Sequence, residues 1–317
     1  MSHATIAQNH QTAPVLGPWT GFRNKCAACL SAVMMVWGLP RPMPAQDAAA
    51  QGVATDLSAG SFFSTGWDEP WTKRSRGEGT PDMSLLRVQT NFLVQLLRID
   101  TFLETGMTSP GASRSEFVNS TIEYALNRRF MPGIFYSHQW VQGSDGAPDK
   151  DGAAGGLFAR FQLAEHQQST LAFTVKAALP DTNLGEHATV CSYAFAGWED
   201  LQRLGLGRTG LYWSLQHEIA AGPVAPGAAR NDAAYVVSLA RSWTGPHAAL
   251  ENLTTFLETA GRTLLDGDHG GRTIVTLTPG FRFTLGGRQI LMAGADLPVA
   301  GPRGFDTIYR LTYIFNF

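Results

Sequence analysis

The sequence is poor in charged residues and in cysteine. Asp, Glu, Lys and Arg make up 16% of the chain, whereas soluble domains average about 25%. Of the three cysteines, Cys26 and Cys29 lie in an N-terminal stretch that we expect to be removed, so the mature chain would keep Cys191 and form no internal disulfide. An exported protein without disulfides needs another source of stability. The small net charge also argues against nucleic-acid binding.

Long hydrophobic runs are missing as well. The stretch CAACLSAVMMVWGL, residues 26–39, is too short for an ordinary transmembrane helix, which needs about 20 apolar residues. It follows Arg23 and Lys25 and precedes small residues such as Ala45, which is the order of a secretory signal peptide. We therefore predict a signal peptide over residues 1–50 and, downstream of it, no membrane helix.

Alternation of apolar and polar residues recurs along the rest of the chain. In NSTIEYAL, for example, Ile122, Tyr124 and Leu126 fall on one side and Thr121 and Glu123 on the other. A period of two is typical of a strand with one apolar and one polar face. The predicted strands are 87–103, 114–127, 130–142, 154–165, 169–178, 188–198, 207–221, 231–244, 250–264, 272–285, 288–298 and 305–317.

The connections between these strands differ in length. Short links such as 127–129, 166–168 and 286–288 alternate with mostly longer polar loops such as 143–155 and 180–187. Such an alternation is typical of an up-and-down antiparallel meander. The predicted fold class is therefore all-β, an up-and-down antiparallel β-barrel of about 12 strands.

Two closed folds fit this pattern. In a soluble barrel or sandwich the apolar faces point inward, whereas in a transmembrane barrel they face lipid and the polar faces line the lumen. Alternation alone does not choose between them. Export, an even strand count, asymmetric loops and the lack of disulfides favour a transmembrane barrel. We predict that it comprises residues 83–317. We predict that it lies in the outer membrane of a Gram-negative-type bacterium, in contact with outer-membrane lipid and with both termini in the periplasm.

The C-terminal stretch YRLTYIFNF, residues 309–317, has apolar side chains at every second position. It resembles the terminal strand of bacterial outer-membrane barrels, in which a final Phe and alternate hydrophobic residues are read by the barrel-assembly machinery. The resemblance implies that machinery as a partner and a barrel-insertion signal at Tyr309, Tyr313, Phe315 and Phe317.

Three further stretches carry a more specific resemblance. They are FFSTGWDEPWTKRSRGEGTPDMSLLRVQTNF (62–92), EYALNRRF (123–130) and DLPVAGPRGFDTIYRLTYIFNF (296–317). Together they resemble the transporter family of the meta-pathway of phenol degradation, and the resemblance spans most of residues 60–317. It implies an outer-membrane barrel that passes small solutes, with aromatic or hydrophobic compounds as candidates.

The polar faces include charged residues of both signs. At the bilayer midplane a charge facing lipid costs about 2–4 kcal/mol, so these side chains should face the lumen. The lumen-lining candidates are Glu123, Arg160, Lys176, Glu218, Glu258, Arg262, Arg282 and Arg310. Such residues either guide a small-molecule solute through a channel or form ion pairs that fill a non-conducting structural or surface-binding barrel.

Residues 51–82 are polar but contain Trp67 and Trp71. This segment either folds into the lumen as a plug or forms a periplasmic tail against the barrel rim. We predict no cofactor, no metal site and no enzymatic activity. Two serine and histidine pairs are considered, Ser137 with His138 and Ser214 with His217. Neither is followed by the His-x-Ser-Asn-Gly pattern of outer-membrane phospholipases.

Overall fold

The computed structural model describes residues 56–72, 83–107, 112–144, 146–180, 188–243, 253–285 and 288–317. The predicted signal peptide, 1–50, lies outside the described residues, together with Cys26 and Cys29. Within the described ranges, no helix is long and apolar enough to cross a membrane.

Twelve strands form one closed antiparallel barrel, in which each strand pairs with its neighbours in the sequence and β1 pairs with β12. This confirms the predicted fold class. The strands are β1 Gln95–Thr105, β2 Ala112–Tyr124, β3 Phe130–Gly143, β4 Lys150–Glu165, β5 Ser169–Ala178, β6 Thr189–Asp200, β7 Thr209–Ala221, β8 Asn231–Ser242, β9 Leu253–Leu264, β10 Thr273–Leu285, β11 Gln289–Ala300 and β12 Thr307–Asn316.

Closure of the barrel leaves neither β1 nor β12 as an edge. The closing register runs from Leu96 opposite Asn316 to Thr105 opposite Thr307. The shortest strands have 10 residues, which matches the roughly 9–11 residues that a tilted strand needs to cross a bilayer. Every strand therefore has backbone partners on both sides, as a span through hydrocarbon requires.

The two ends of the barrel differ. We call the end at which β1 begins and β12 ends the lower end, and the opposite one the upper end. Three of the links at the lower end, 125–129, 166–168 and 286–288, are short, whereas the link 201–208 contains a single 3₁₀ turn, Gln202–Leu204. Short turns on the periplasmic side and longer loops outside are the rule for these barrels, which favours a periplasmic lower end.

The faces of the barrel are inverted relative to a soluble protein. The outer face of β2 to β12 carries exposed large apolar side chains, one per strand being Ile122, Ile134, Leu157, Val175, Phe195, Leu215, Val237, Leu257, Phe281, Leu297 and Leu311. The inner face carries buried polar ones, for example Asp100, Thr121, Ser137, Arg160, Thr174, Ser192, Ser214, Ser238, Glu258, Thr278, Asp296 and Thr312. This arrangement suits lipid outside and a polar lumen inside.

The first strand begins later than the sequence predicted. The pattern predicted a strand over 87–103, but β1 begins at Gln95, and residues 83–94 form an irregular segment inside the barrel. We call residues 83–94 the plug segment. Most side chains of its alternating part, residues 87–94, are buried, so the apolar ones contact the inner wall and not lipid. A short apolar run does not by itself distinguish a strand from another buried segment.

A second segment, residues 56–72, lies against the lower end of the barrel, and we call it the strap. Leu57 exchanges two backbone hydrogen bonds with Glu165, of 2.9 and 2.8 Å, at the end of β4. Pro70 forms a bridge with Asn127 in the link between β2 and β3. The strap therefore lies over two neighbouring links at the lower rim.

Candidate functional site in the lumen

The inner wall holds all eight of the predicted lumen-lining residues. Glu123 and Arg160 pair with each other at 2.7 Å, and both side chains are almost fully buried. Arg262 binds Glu218 at 2.9 Å and also contacts Asp232. These contacts form two separate groups of charges on the inner wall. Whether they guide a solute stays a prediction.

The remaining predicted residues have different partners. Arg310 binds Asp296 at 2.6 Å, and its guanidinium lies 4.4 Å from the centre of the Phe102 ring. The closest polar contact of Arg282 is with the hydroxyl of Thr284, at 3.4 Å. Glu258 binds the plug segment, and Lys176 lies beside the cavity described below.

The middle of the plug segment is bound by two acids of the wall. Arg87 donates to Asp296 Oδ2 at 2.7 Å and to Thr276 at 2.8 Å. The fully buried carboxylate of Glu258 accepts the backbone N–H groups of Arg87, at 3.2 Å, and Val88, at 3.1 Å. These charged acceptors come from β9 and β11, so the plug segment is tied to one side of the barrel.

Polar side chains on the other strands bind the rest of the segment. Arg98 of β1 donates to the carbonyl oxygens of Leu85, at 3.1 Å, and Leu86, at 3.4 Å. Gln89 donates to Gln216 of β7 at 2.9 Å. Two side chains of β4 also donate to the segment, Arg160 to Phe92 O at 3.4 Å and Gln162 to Asn91 O at 3.3 Å. The plug segment therefore spans the lumen between opposite walls.

Apolar side chains add a layer that the sequence did not predict. Buried residues of the plug segment pack with inward-facing residues of the wall in one cluster, which includes Leu85, Leu86, Val88, Leu93, Val94, Met131, Phe135, Phe158, Trp198, Tyr212, Val236, Phe256, Met292 and Ile314. A lumen filled only with water would not favour such residues on its wall. The sequence did contain a signal for this cluster, because apolar residues such as Ile314 interrupt the polar faces of the strands.

Arg129, which is fully buried at the lower end, binds the strap. Its guanidinium donates to the carbonyl oxygens of Thr65 at 2.7 Å, of Ser58 and Ser61 at 3.2 Å each, and of Gln162 at 2.9 Å. Five fixed donors suit such a convergence of carbonyl groups. One side chain therefore joins the strap to β4.

A cavity of about 180 Å³ lies between the plug segment and the inner wall of β1 to β5. Phe135 and Phe158 are the two aromatic residues of its lining. Each ring covers a glycine of the neighbouring strand, since a Cβ added at Gly133 would lie 2.1 Å from the Phe158 ring and one at Gly156 would lie 2.5 Å from Phe135. The two glycines thus make room for the two rings.

The predicted insertion-signal residues lie on the outer face of β12. Tyr309 and Phe317 are exposed, and the rings of Phe315 and Phe317 contact each other with centroids 6.0 Å apart. Tyr313 lies on the same face of β12 as Tyr309 and Phe315 and is partly buried. Their reading by the assembly machinery remains a prediction.

The serine and histidine pairs considered from the sequence do not meet. Ser137 is buried on the inner face and bonds to Ala154 O at 3.3 Å. The ring of His138 instead stacks on Trp140, with centroids 4.1 Å apart. Ser214 is buried on the inner face, whereas His217 contacts the hydroxyl of the exposed Tyr193. Neither histidine is therefore placed to activate its serine.

These features define the class of the protein. A closed antiparallel barrel with an apolar outer belt, a charged interior and no edge strand is an outer-membrane β-barrel. Its localisation is the outer membrane of a Gram-negative-type bacterium.

Comparison with solved structures agrees with this class at the level of fold. The chain is similar to the crystal structure of an outer membrane channel from Pseudomonas putida F1, with 12% identity and a TM-score of 0.51, over 74% of this chain and 100% of that one. It is also similar to the NanC porin, with 8% identity and a TM-score of 0.50, over 70% of this chain and 100% of that one.

Comparisons of sequence add no closer assignment. No family model matches the chain, and no curated protein matches it either. The resemblance to the transporter family of the meta-pathway of phenol degradation therefore remains a prediction.

Proposed function

We propose that this protein is an outer-membrane channel for a small solute and that the plug segment controls passage through its lumen. The observation that carries the proposal is the plug segment itself, a non-strand segment that is bound to opposite walls of a charged lumen beside a cavity of about 180 Å³. Two solved barrels of similar fold, the outer membrane channel from Pseudomonas putida F1 and the NanC porin, support it.

The contacts of the plug segment suit a gate. The segment forms many hydrogen bonds to the wall, and water can replace each of them when the segment moves. For this reason a hydrogen bond contributes about 0.5–1.5 kcal/mol net, although its partner is expensive to leave buried and unpaired. The apolar cluster around the segment gives the lumen a surface suited to aromatic or hydrophobic solutes.

Conductance of the full chain in planar bilayers tests this proposal, with the variant Glu258→Gln as the main comparison. The amide keeps one acceptor but loses the charge that both plug N–H groups contact, so the plug segment should be bound less tightly. We expect more frequent and longer open events than in the wild type. Glu116→Gln is the matched control, because Glu116 is partly exposed near the upper end and pairs with Arg114.

The proposal is abandoned if neither the wild type nor Glu258→Gln conducts and if deletion of the gene changes no solute uptake. A specific observation favours the alternative of a non-conducting structural or surface-binding barrel. The plug segment has partners on several strands, and the strap covers part of the lower rim. That alternative predicts a silent barrel even when Arg87→Ala removes the ion pair with Asp296.

A further inference from the structure

The cavity beside the plug segment is lined by both apolar and charged side chains. Leu86, Phe135 and Phe158 supply apolar surface, and four basic side chains supply positive charge. Two acidic side chains, Asp100 and Glu123, also line it. The cavity is therefore both apolar and, by count of its lining residues, positively charged.

Three of the four basic residues are neutralised by a carboxylate. The ion pairs are Arg87 with Asp296 at 2.7 Å, Arg98 with Asp100 at 2.9 Å and Arg160 with Glu123 at 2.7 Å. Since Asp100 and Glu123 are each occupied by an arginine, neither of them repels an anion as an isolated charge would.

Lys176 is the fourth basic residue and differs from the others. Among the residues that the structure describes, no carboxylate lies within 4.0 Å of its ammonium group. Its Nζ lies 3.9 Å from the centre of the Phe135 ring, and its side chain is exposed within the lumen. Glu218 could oppose this charge from β7, but its carboxylate already accepts from Arg262 at 2.9 Å and from Gln216 at 2.6 Å.

We infer that this cavity binds a small organic anion with a single carboxylate and a compact apolar body. The carboxylate would bind the Lys176 ammonium group, and the apolar body would contact Phe135, Phe158 and Leu86. The size agrees, because an engineered apolar cavity of about 150 Å³ holds benzene and this one has about 180 Å³. The inference rests on the proposed function in one respect, namely that the bound anion is the transported solute.

The charge of Lys176 also explains why a neutral solute would be a poorer match. An ammonium group that binds a carboxylate forms a charge-assisted hydrogen bond, roughly twice as strong as one between neutral groups. A neutral molecule of the same size would contact the rings equally well but would offer this ammonium group no carboxylate. The site should therefore discriminate by charge more than by the shape of the apolar body.

The test measures benzoate binding to the purified full chain in detergent by isothermal titration calorimetry. We expect Lys176→Met to weaken benzoate binding at least about tenfold, since it removes the charged partner and keeps an unbranched stem over Phe135. Lys176→Arg should restore most of the affinity. Lys150→Met removes the same charge at the upper end of β4, outside the cavity lining, and should leave the affinity unchanged.

Benzyl alcohol serves as the neutral probe, and it should bind wild type and Lys176→Met alike. The inference is overturned if the wild type does not bind benzoate, or if Lys176→Met and Lys150→Met change its affinity equally. Conductance is measured on the same preparations. Benzoate binding without conductance would overturn the proposed passage but not the site, whereas conductance without benzoate binding would overturn the site alone.

Discussion

At the scale of single residues, Asp296 joins the plug segment to the wall. Its carboxylate is fully buried and accepts hydrogen bonds from Arg87, Arg310 and Thr278 at 2.6–2.8 Å. Two arginines share one acid here, so the loss of that acid would leave two guanidinium groups close together without a counter-charge. A buried pair that loses one partner is strongly destabilised.

We therefore expect Asp296→Ala to lower the free energy of unfolding by about 3 kcal/mol. Urea unfolding in lipid vesicles, followed by tryptophan fluorescence, measures the change. Asp306→Ala is the control, because Asp306 is exposed and lies 3.9 Å from Arg303; an exposed pair of this kind contributes about 0–1 kcal/mol. Equal effects of the two variants would contradict the role given to Asp296.

The contact between Gly133 and the Phe158 ring gives a second prediction at the residue scale. An added Cβ would overlap the Phe158 ring, so Gly133→Ala should displace that ring and destabilise the barrel by about 1–3 kcal/mol, as overpacking does. Gly155→Ala is the matched control on the neighbouring strand, since its Cβ would meet only Phe135 O, at 3.4 Å. The same unfolding measurement compares them, and a harmless Gly133→Ala would show that the ring has space to move.

At the scale of elements, the strap and the plug segment show where local pattern stops being informative. The sequence left open whether residues 51–82 lie in the lumen or against the rim. In the described part of that segment, 56–72, the structure shows contacts with the lower links, and Trp71 also donates to Leu93 O of the plug segment at 3.1 Å. Residues 83–94, and not this segment, occupy the lumen. Alternation along 87–94 looked like a strand because buried irregular segments also need apolar side chains.

The strap gives a prediction at this scale. Arg129→Ala removes the donors to Ser58, Ser61 and Thr65, so the strap should detach from the lower end while the barrel itself remains folded. Limited proteolysis should then cut within 56–72 faster than in the wild type, with the barrel fragment intact. Arg203→Ala, at an exposed position of another lower link, should leave the cleavage rate unchanged; an unchanged rate in Arg129→Ala would contradict this account.

At the scale of the whole molecule, the outer belt decides where the protein can reside. Leu215 lies at the middle of β7 and is exposed on the outer face. Leu215→Arg should lower the free energy of unfolding in vesicles by about 2–4 kcal/mol, the cost of a basic side chain at the bilayer midplane. Leu206→Arg, in the link before β7, should cost far less. If the two variants were equally stable, the outer face of β7 would not contact lipid.

The sequence by itself determined most of the strand pattern and the division of each strand into an apolar and a polar face, with charges such as Glu123 and Glu258 on the polar face. These properties are local, because a period of two places alternate side chains on opposite faces of any strand. Which face lines the lumen did not follow from alternation and was predicted from export, the even strand count, the asymmetric loops and the lack of disulfides.

Only the tertiary structure decided which charges pair and what occupies the lumen. It also decided that Lys176, of the four basic residues lining the cavity, has no carboxylate within 4.0 Å in the part of the chain that the structure describes. Arg87 and Asp296 are 209 positions apart in the chain, and their contact depends on barrel closure and on the path of the plug segment. Lys176 and Arg160 looked alike as polar-face cations in the sequence. Their difference arises because Glu123 lies within 2.7 Å of Arg160, whereas Lys176 faces an aromatic ring.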